Sequence, residues 1–142
     1  MIWPKSFSAR LASWNLLRDQ CQTLVAQSAL EHINAWWLHT PWRPYYLHWD
    51  DVATWPDPWQ LLSDDIYCDV ARGLGILYTI ALLDRADLQD AVLLEVGSDN
   101  LVQVQQKKYI LNWDSEAVVN INPTGTTTRH SITQEQIKQQ IR

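Results

Sequence analysis

The sequence predicts an α+β fold in one domain over residues 1–142, built of N-terminal helices, a Trp/Pro-rich loop, a central helix, a small antiparallel sheet and a short C-terminal helix. Three observations predict it. Apolar residues in the first part of the chain recur at spacings of three and four, whereas between Ala91 and Trp113 they fall into short strand-like runs. Between the first helices and the central one, Pro41 to Ser63 holds four of the six prolines and no glycine, which excludes a long regular helix there.

Ser8 is positioned to cap a first helix whose stripe is Leu11, Trp14, Leu17, Cys21, Leu24, Val25 and Ser28. Ser28 to Glu31 has capping-box spacing, so the stripe is either bent at a second start or continuous to Leu38, and Thr40-Pro41 ends it in both cases. Ser63 or Asp64 is a cap for a helix from about Asp65 through Ile80, with Ile66, Val70, Leu74, Leu77 and Tyr78 on one side. Gly73 and Gly75 each lower helix propensity by about 1 kcal/mol there, which points to close packing against an indole. Ala91–Val96, Asn100–Gln105 and Lys108–Trp113 read as strands, with a hairpin turn at Gly97–Asn100. Val118–Ile121 is a candidate edge strand, and Thr133 to Gln136 has capping-box spacing for a short polar helix to Arg142.

Composition narrows the function classes. Eleven Lys and Arg against sixteen Asp and Glu give a net charge of −5 without a dense cationic run, so no nucleic-acid partner is expected. The longest apolar stretch, Gly73 to Leu83, is about half the ~20 residues a membrane span needs, and Met1-Ile2-Trp3-Pro4 does not open like a signal peptide. The expectation is a soluble intracellular product with no membrane partner. Cys21 and Cys68 stand in unlike surroundings and are expected to be free thiols.

Nine tryptophans are several times ordinary usage, and six of them lie between Trp36 and Trp59. An indole buries roughly 150–250 Å², and this many exceed what one small core needs, so part of the set is expected at a surface that binds other protein subunits. A sugar platform would need regular strands and repeated polar partners, which the segment lacks. The expected anchors are Trp14, on the stripe of the first helix, with Trp36, Trp37 and Trp42. Trp36 and Trp37 point about 100° apart on a helix, so one can serve the core while the other leaves it. The prolines and indoles together are expected to order the Pro41–Ser63 loop. His32, His39 and His48 precede a run of aspartates from Asp50 to Asp69, but no two share a spacing that fixes a pair of ligands on one element, so no metal site is expected.

Cys68 stands near the start of the predicted central helix, strands come after it, and Asp114 closes Tyr109-Ile-Leu-Asn-Trp-Asp114. A helix N-terminus acidifies a thiol, and a carboxylate on a later strand orients a base. In this layout Ile66 to Asp114 resembles the transglutaminase-like cysteine peptidases, in which a Cys heads a helix and a His and an Asp lie on successive strands. Where the family has its His, this chain has Asp90 or Asn100, and none of His32, His39, His48 and His130 occupies the matching strand. A thiol without imidazole has no proton acceptor, so no catalytic residue and no cofactor are expected. An enzyme of this class, or its inactive relative, is the alternative reading.

Trp55-Pro-Asp-Pro-Trp-Gln-Leu-Leu62, then Tyr67-Cys68, then Leu77-Tyr-Thr-Ile-Ala-Leu82 are also similar to a kind of small protein found among tailed-bacteriophage structural genes. The shared pattern is a Trp-Pro-x-Pro-Trp turn, an aromatic-Cys pair opening a helix and a Tyr-Thr pair further along. The resemblance implies a non-enzymatic virion component of tail, baseplate or neck, present in the host cytoplasm during assembly.

Overall fold

Ser6 rather than Ser8 caps the first helix, α1 (Phe7–Cys21), its Oγ accepting the Ala9 N–H at 3.1 Å. The earlier start places Arg10 on the first turn, where its guanidinium reaches back to the carbonyls of Pro4 and Lys5 and across to those of Leu62 and Asp64. The computed structural model describes residues 3–44, 47–83, 85–114, 117–119 and 128–141.

The helical stripe is neither continuous to Leu38 nor restarted at Ser28. The chain breaks after Cys21 and re-enters helix as α2 (Ala26–Trp37), with Val25 at a cap position that makes no side-chain hydrogen bond. Arg85 accounts for the break: its Nη1 donates to the carbonyls of Cys21 at 2.8 Å and Leu24 at 2.7 Å, capturing acceptors that a continuous helix would have used itself. Val25 is exposed in consequence.

The proline-rich segment contains two 3-10 turns over Trp49–Thr54, meeting at a kink at Asp51, and a short helix α3 (Pro58–Leu62). Asp57 caps α3 with Pro58 at its first position, and Gln60 closes the capping box. Indoles pack the segment: Trp49 and Trp55 meet edge to face at 5.1 Å, and Trp55 Nε1 donates to the His48 carbonyl at 2.9 Å. Tyr45 and Tyr46 lie outside the described residues.

The central helix, α4 (Asp69–Leu83), begins four residues later than expected. Tyr67 is held extended instead, its N–H bonded to the Pro41 carbonyl at 2.8 Å and its carbonyl to the Arg43 N–H at 2.9 Å, while its hydroxyl donates to Leu61 O. Four strands, β1 (Val92–Val96), β2 (Asp99–Val104), β3 (Tyr109–Leu111) and β4 (Thr128–Thr133), form an antiparallel sheet in the order β3-β2-β1-β4. The architecture is α+β. The β1–β2 turn is the two-residue Gly97-Ser98, with Gly97 at φ +61° where a type II′ turn requires a positive value. Val119 makes a single bridge to Tyr109, and the remainder of the expected Val118–Ile121 strand lies outside the described residues. Thr133 and Gln136 form the expected capping box of α5 (Gln134–Lys138), a helix that stops short of Arg142.

One cross-strand row, Leu111–Val102–Leu93–Ile132, is buried across all four strands and faces α4. A Cβ on Gly73 would come within 2.5 Å of Leu93 Cδ1, and one on Gly75 within 2.5 Å of Trp37 Cε3, so one glycine admits the sheet and the other the expected indole. One turn beyond Gly75, Thr79 Oγ1 accepts both Trp14 Nε1 and Trp37 Nε1 at 2.9 Å and donates to Gly75 O at 2.7 Å. All three hydrogen-bonding positions of that buried hydroxyl are used.

Two substitutions test this packing by chemical denaturation. Thr79→Val keeps the shape and orphans two buried indole donors, each worth about 1–3 kcal/mol, so a loss of about 2 kcal/mol or more is expected, with Thr79→Ser milder. Gly75→Ala gains ~1 kcal/mol of helix propensity but drives a methyl into the Trp37 ring, where overpacking costs about 1–3 kcal/mol or more. Net destabilisation is expected; a stabilised Gly75→Ala variant would contradict the close approach.

Candidate functional site

Of the four expected anchors, the fold places three inside. Trp14, Trp36 and Trp37 are 0%, 5% and 1% exposed, and each indole N–H is bonded within the chain, to Thr79, Ser13 and Thr79 respectively. Their place in the core corrects the expectation of partner contact, because a side chain without accessible surface has no area to offer. The adjacent pair does not divide between core and surface: Trp36 and Trp37 meet each other edge to face at 5.0 Å, and Trp3 packs on both. Trp42 alone of the four is at the surface, 54% exposed.

A second exposed indole, which the sequence pattern does not single out, is tied to the same helix end. Trp113 is 67% exposed and comes directly after Asn112, whose Nδ2 donates to the Asp69 carbonyl at 2.9 Å and the Asn100 carbonyl at 2.7 Å. Asp69 in turn accepts Trp42 Nε1 on its carboxylate at 3.1 Å. The N-terminus of α4 thereby joins the Pro41–Arg43 strand-like segment on one side to the end of β3 on the other. Asn34 secures the second junction from α2, its Oδ1 accepting the Asn112 N–H and its Nδ2 donating to Asp114 O. Asn112 adopts φ +66°, a left-handed geometry that asparagine tolerates and that turns the chain out of the strand at Trp113.

Cys68 occupies the cap position of α4. Its sulfur accepts the N–H groups of Ala71 at 3.4 Å and Leu47 at 3.3 Å, and it is 4% exposed. The thiol does head a helix that packs on an antiparallel sheet, but no imidazole is bonded to its sulfur among the described residues. Asn100 sits on β2 with its side-chain oxygen accepting Trp49 Nε1 at 2.8 Å, and Asp90 uses both carboxylate oxygens on the N–H groups of Gln105 and Gln106. Neither supplies a base to Cys68.

His130 lies on β4, a strand that the sequence pattern does not predict. It pairs with Glu95 at 2.6 Å and stacks on Trp49, ring centroids 5.5 Å apart and planes within 10°. Among the described residues no group of three or more His, Cys, Asp or Glu is placed to hold a metal ion, and no helix is long and apolar enough to cross a membrane. The side chains of His32 and His39 each bond a backbone carbonyl four residues back in or beside α2.

The arrangement leaves an exposed indole, Trp42, bonded to a carboxylate at a helix N-terminus, and a second exposed indole, Trp113, next in sequence to a residue bonded to the same helix end. Comparison with family models, curated proteins and solved structures finds no match to the chain.

Two buried groups make stability fall in alkali. Burial pushes the Cys21 thiol up from 9.0 to about 11, against a smaller lowering by Arg85. Burial, and then the charge of Asp57, also raises the Tyr78 hydroxyl, which donates to Pro56 O. Both stay protonated in the native state while the unfolded chain ionises. Stability is therefore complete below the ordinary thiol range and declines as pH rises through 9.0 toward 11. Urea midpoints measured across that interval should fall, and Cys21→Ala should flatten the decline. In the folded protein both cysteines should react with a thiol reagent far more slowly than in urea, because both are buried; fast labelling of Cys68 alone would favour enzyme chemistry.

Proposed function

We propose that this chain is a non-enzymatic structural or assembly protein that works through contacts with other protein subunits, as a component of a bacteriophage virion in its tail, baseplate or neck. The observation that carries the contact reading is the exposure of Trp42 and Trp113, at 54% and 67%, with Trp42 and the residue before Trp113 both bonded to Asp69. Large apolar side chains left at a surface are the usual anchors of protein interfaces, and tryptophan leads among them. Assignment to a virion rests on the resemblance of about Trp36 to Leu82 to small phage structural proteins, a resemblance that includes the turn formed by Trp55, Pro56 and the capped helix α3.

The second reading is an inactive relative of the transglutaminase-like enzymes. Cys68 at the cap of α4, with α4 against the sheet, favours it. Among the described residues no imidazole is bonded to the sulfur, which favours an inactive relative over an active enzyme.

Alanine substitution separates contact from folding. Trp42→Ala and Trp113→Ala should each leave the thermal midpoint nearly unchanged, since surface changes fall within about 0.5 kcal/mol, and should weaken incorporation into purified particles by about 2 kcal/mol or more. Mass spectrometry of the particles reads incorporation directly. A chain absent from particles, or both variants incorporated like the parent, would overturn the proposal.

A further inference from the structure

Independently of the contact reading above, we infer that the segment Trp49–Thr54 is a proton-dependent strap, held on the sheet by the imidazolium of His130 and loosened when that ring loses its charge.

His130, Glu95 and Asn100 are cross-strand neighbours on β4, β1 and β2. They lie two residues along from Ile132, Leu93 and Val102, and so share the face of that buried row. Trp49 engages two of the three. Its Nε1 donates to Asn100 Oδ1 at 2.8 Å, and its ring stacks on His130 with the planes 10° apart.

Little else holds the strap. No residue in Trp49–Thr54 is fully buried, and Trp49 and Val52 pack only partly on the core. Trp49 meets the buried Trp55 edge to face, and Val52 O accepts Gln140 Nε2 at 3.3 Å. A segment with so little buried apolar surface opens without unfolding the rest of the chain.

Protonation of His130 changes both contacts of its ring. A carboxylate only accepts, so the 2.6 Å contact with Glu95 Oε1 places a proton on His130 Nδ1, and the proton gained or lost is the one on Nε2. With both nitrogens protonated the ring is a cation between the carboxylate and the electron-rich face of Trp49. Without the second proton it keeps a hydrogen bond and a stack but neither charge contact. The added attraction is therefore complete in acid and is lost as pH rises through the interval of about 5 to 8 in which histidine titrates.

The charges around the ring leave that change intact. Arg129, on the same strand, brings Nε to 3.9 Å from the same Glu95 oxygen and donates from Nη2 to Gly97 O, so the carboxylate keeps a cationic neighbour at every pH. From β2 comes the neutral Asn100. The strap and the residue before it carry His48, Asp50 and Asp51, all exposed, and of these only His48 titrates in the same interval.

Hydrogen exchange at the indole N–H groups, read by NMR on the full chain labelled with nitrogen-15, tests the strap from about pH 5.5 to 8. The Trp49 signal is the one that Trp49→Phe removes. His130→Gln is measured at each pH as the reference, so that the intrinsic pH dependence of exchange cancels. Protection of Trp49 in the parent relative to this variant should fall by about fivefold across the interval, the combined effect of one half-exposed ion pair and one exposed cation–π contact. Glu95→Gln should at least halve that fall, and His48→Gln should retain it. Trp14 and Trp37, bonded to Thr79 in the core, should stay protected throughout, which shows both that each variant is folded and that the opening is local. A constant ratio across the interval, an equal fall at Trp14 and Trp37, a fall that Glu95→Gln leaves whole or one that His48→Gln abolishes overturns the inference.

Discussion

One buried hydroxyl fixes the relation of three helices. Thr79 sits at the centre of α4, where Trp14 from α1 and Trp37 from α2 both direct their indole N–H groups at its oxygen while its own proton goes to Gly75 one turn back. The Trp37 ring therefore lies along α4 from Gly75 to Thr79, a rise of about 6 Å, comparable with the length of an indole. Neither indole can shift without orphaning a buried donor, and α4 cannot rotate without driving its backbone away from both. A purely apolar core would tolerate sliding; two directional bonds at one atom do not.

With α4 held on that side, its other face sets the sheet. Gly73 admits Leu93 as closely as Gly75 admits Trp37, so α4 is covered on both faces. Its burial explains why its sequence is apolar almost all round instead of showing a single stripe. Two arginines complete the frame by using their donors on backbone carbonyls. Arg10 ties the start of α1 to the end of α3, and Arg85 ties the α1–α2 turn to the end of α4. Each is long enough to reach carbonyls that local hydrogen bonding has left free, and their guanidinium groups satisfy several at once.

Features determined by neighbours in sequence were legible. The capping box at Thr133, the Gly97 hairpin, the three strands from Ala91 to Trp113 and the tight glycines of α4 were each visible as local spacing, and each is present. Features decided by distant partners were not. Asp65 to Cys68 carries helix-compatible residues, yet Tyr67 is drawn into a bridge with Trp42, which delays α4 to Asp69. Strand β4 reads Thr-Arg-His-Ser-Ile-Thr, with Ile132 its one buried residue, so it offers no alternation to detect; pairing with β1 makes it a strand. Arg85 ends α1 from more than sixty residues away.

The candidate site illustrates the same division in one residue type. Density of tryptophan between Trp36 and Trp59 pointed to a surplus, but density does not say which rings leave the core. Trp36, Trp37 and Trp55 are buried, Trp49 and Trp59 are half-buried, and only Trp42 is exposed within that segment. Its exposed companion, Trp113, is an isolated tryptophan far along the chain, with nothing in its local pattern to distinguish it from a strand residue facing the core. What turns it out of the strand is the asparagine before it: Asn112 bends left-handed, is gripped by Asn34, and reaches the carbonyls of Asp69 and Asn100. Had residue 112 a side chain unable to make those bonds or that turn, β3 would continue in alternation and Trp113 would lie on the same side as Leu111, toward the helices. The exposure of the ring is therefore a consequence of polar chemistry at the neighbouring residue, and a hydrophobicity pattern carries no trace of it.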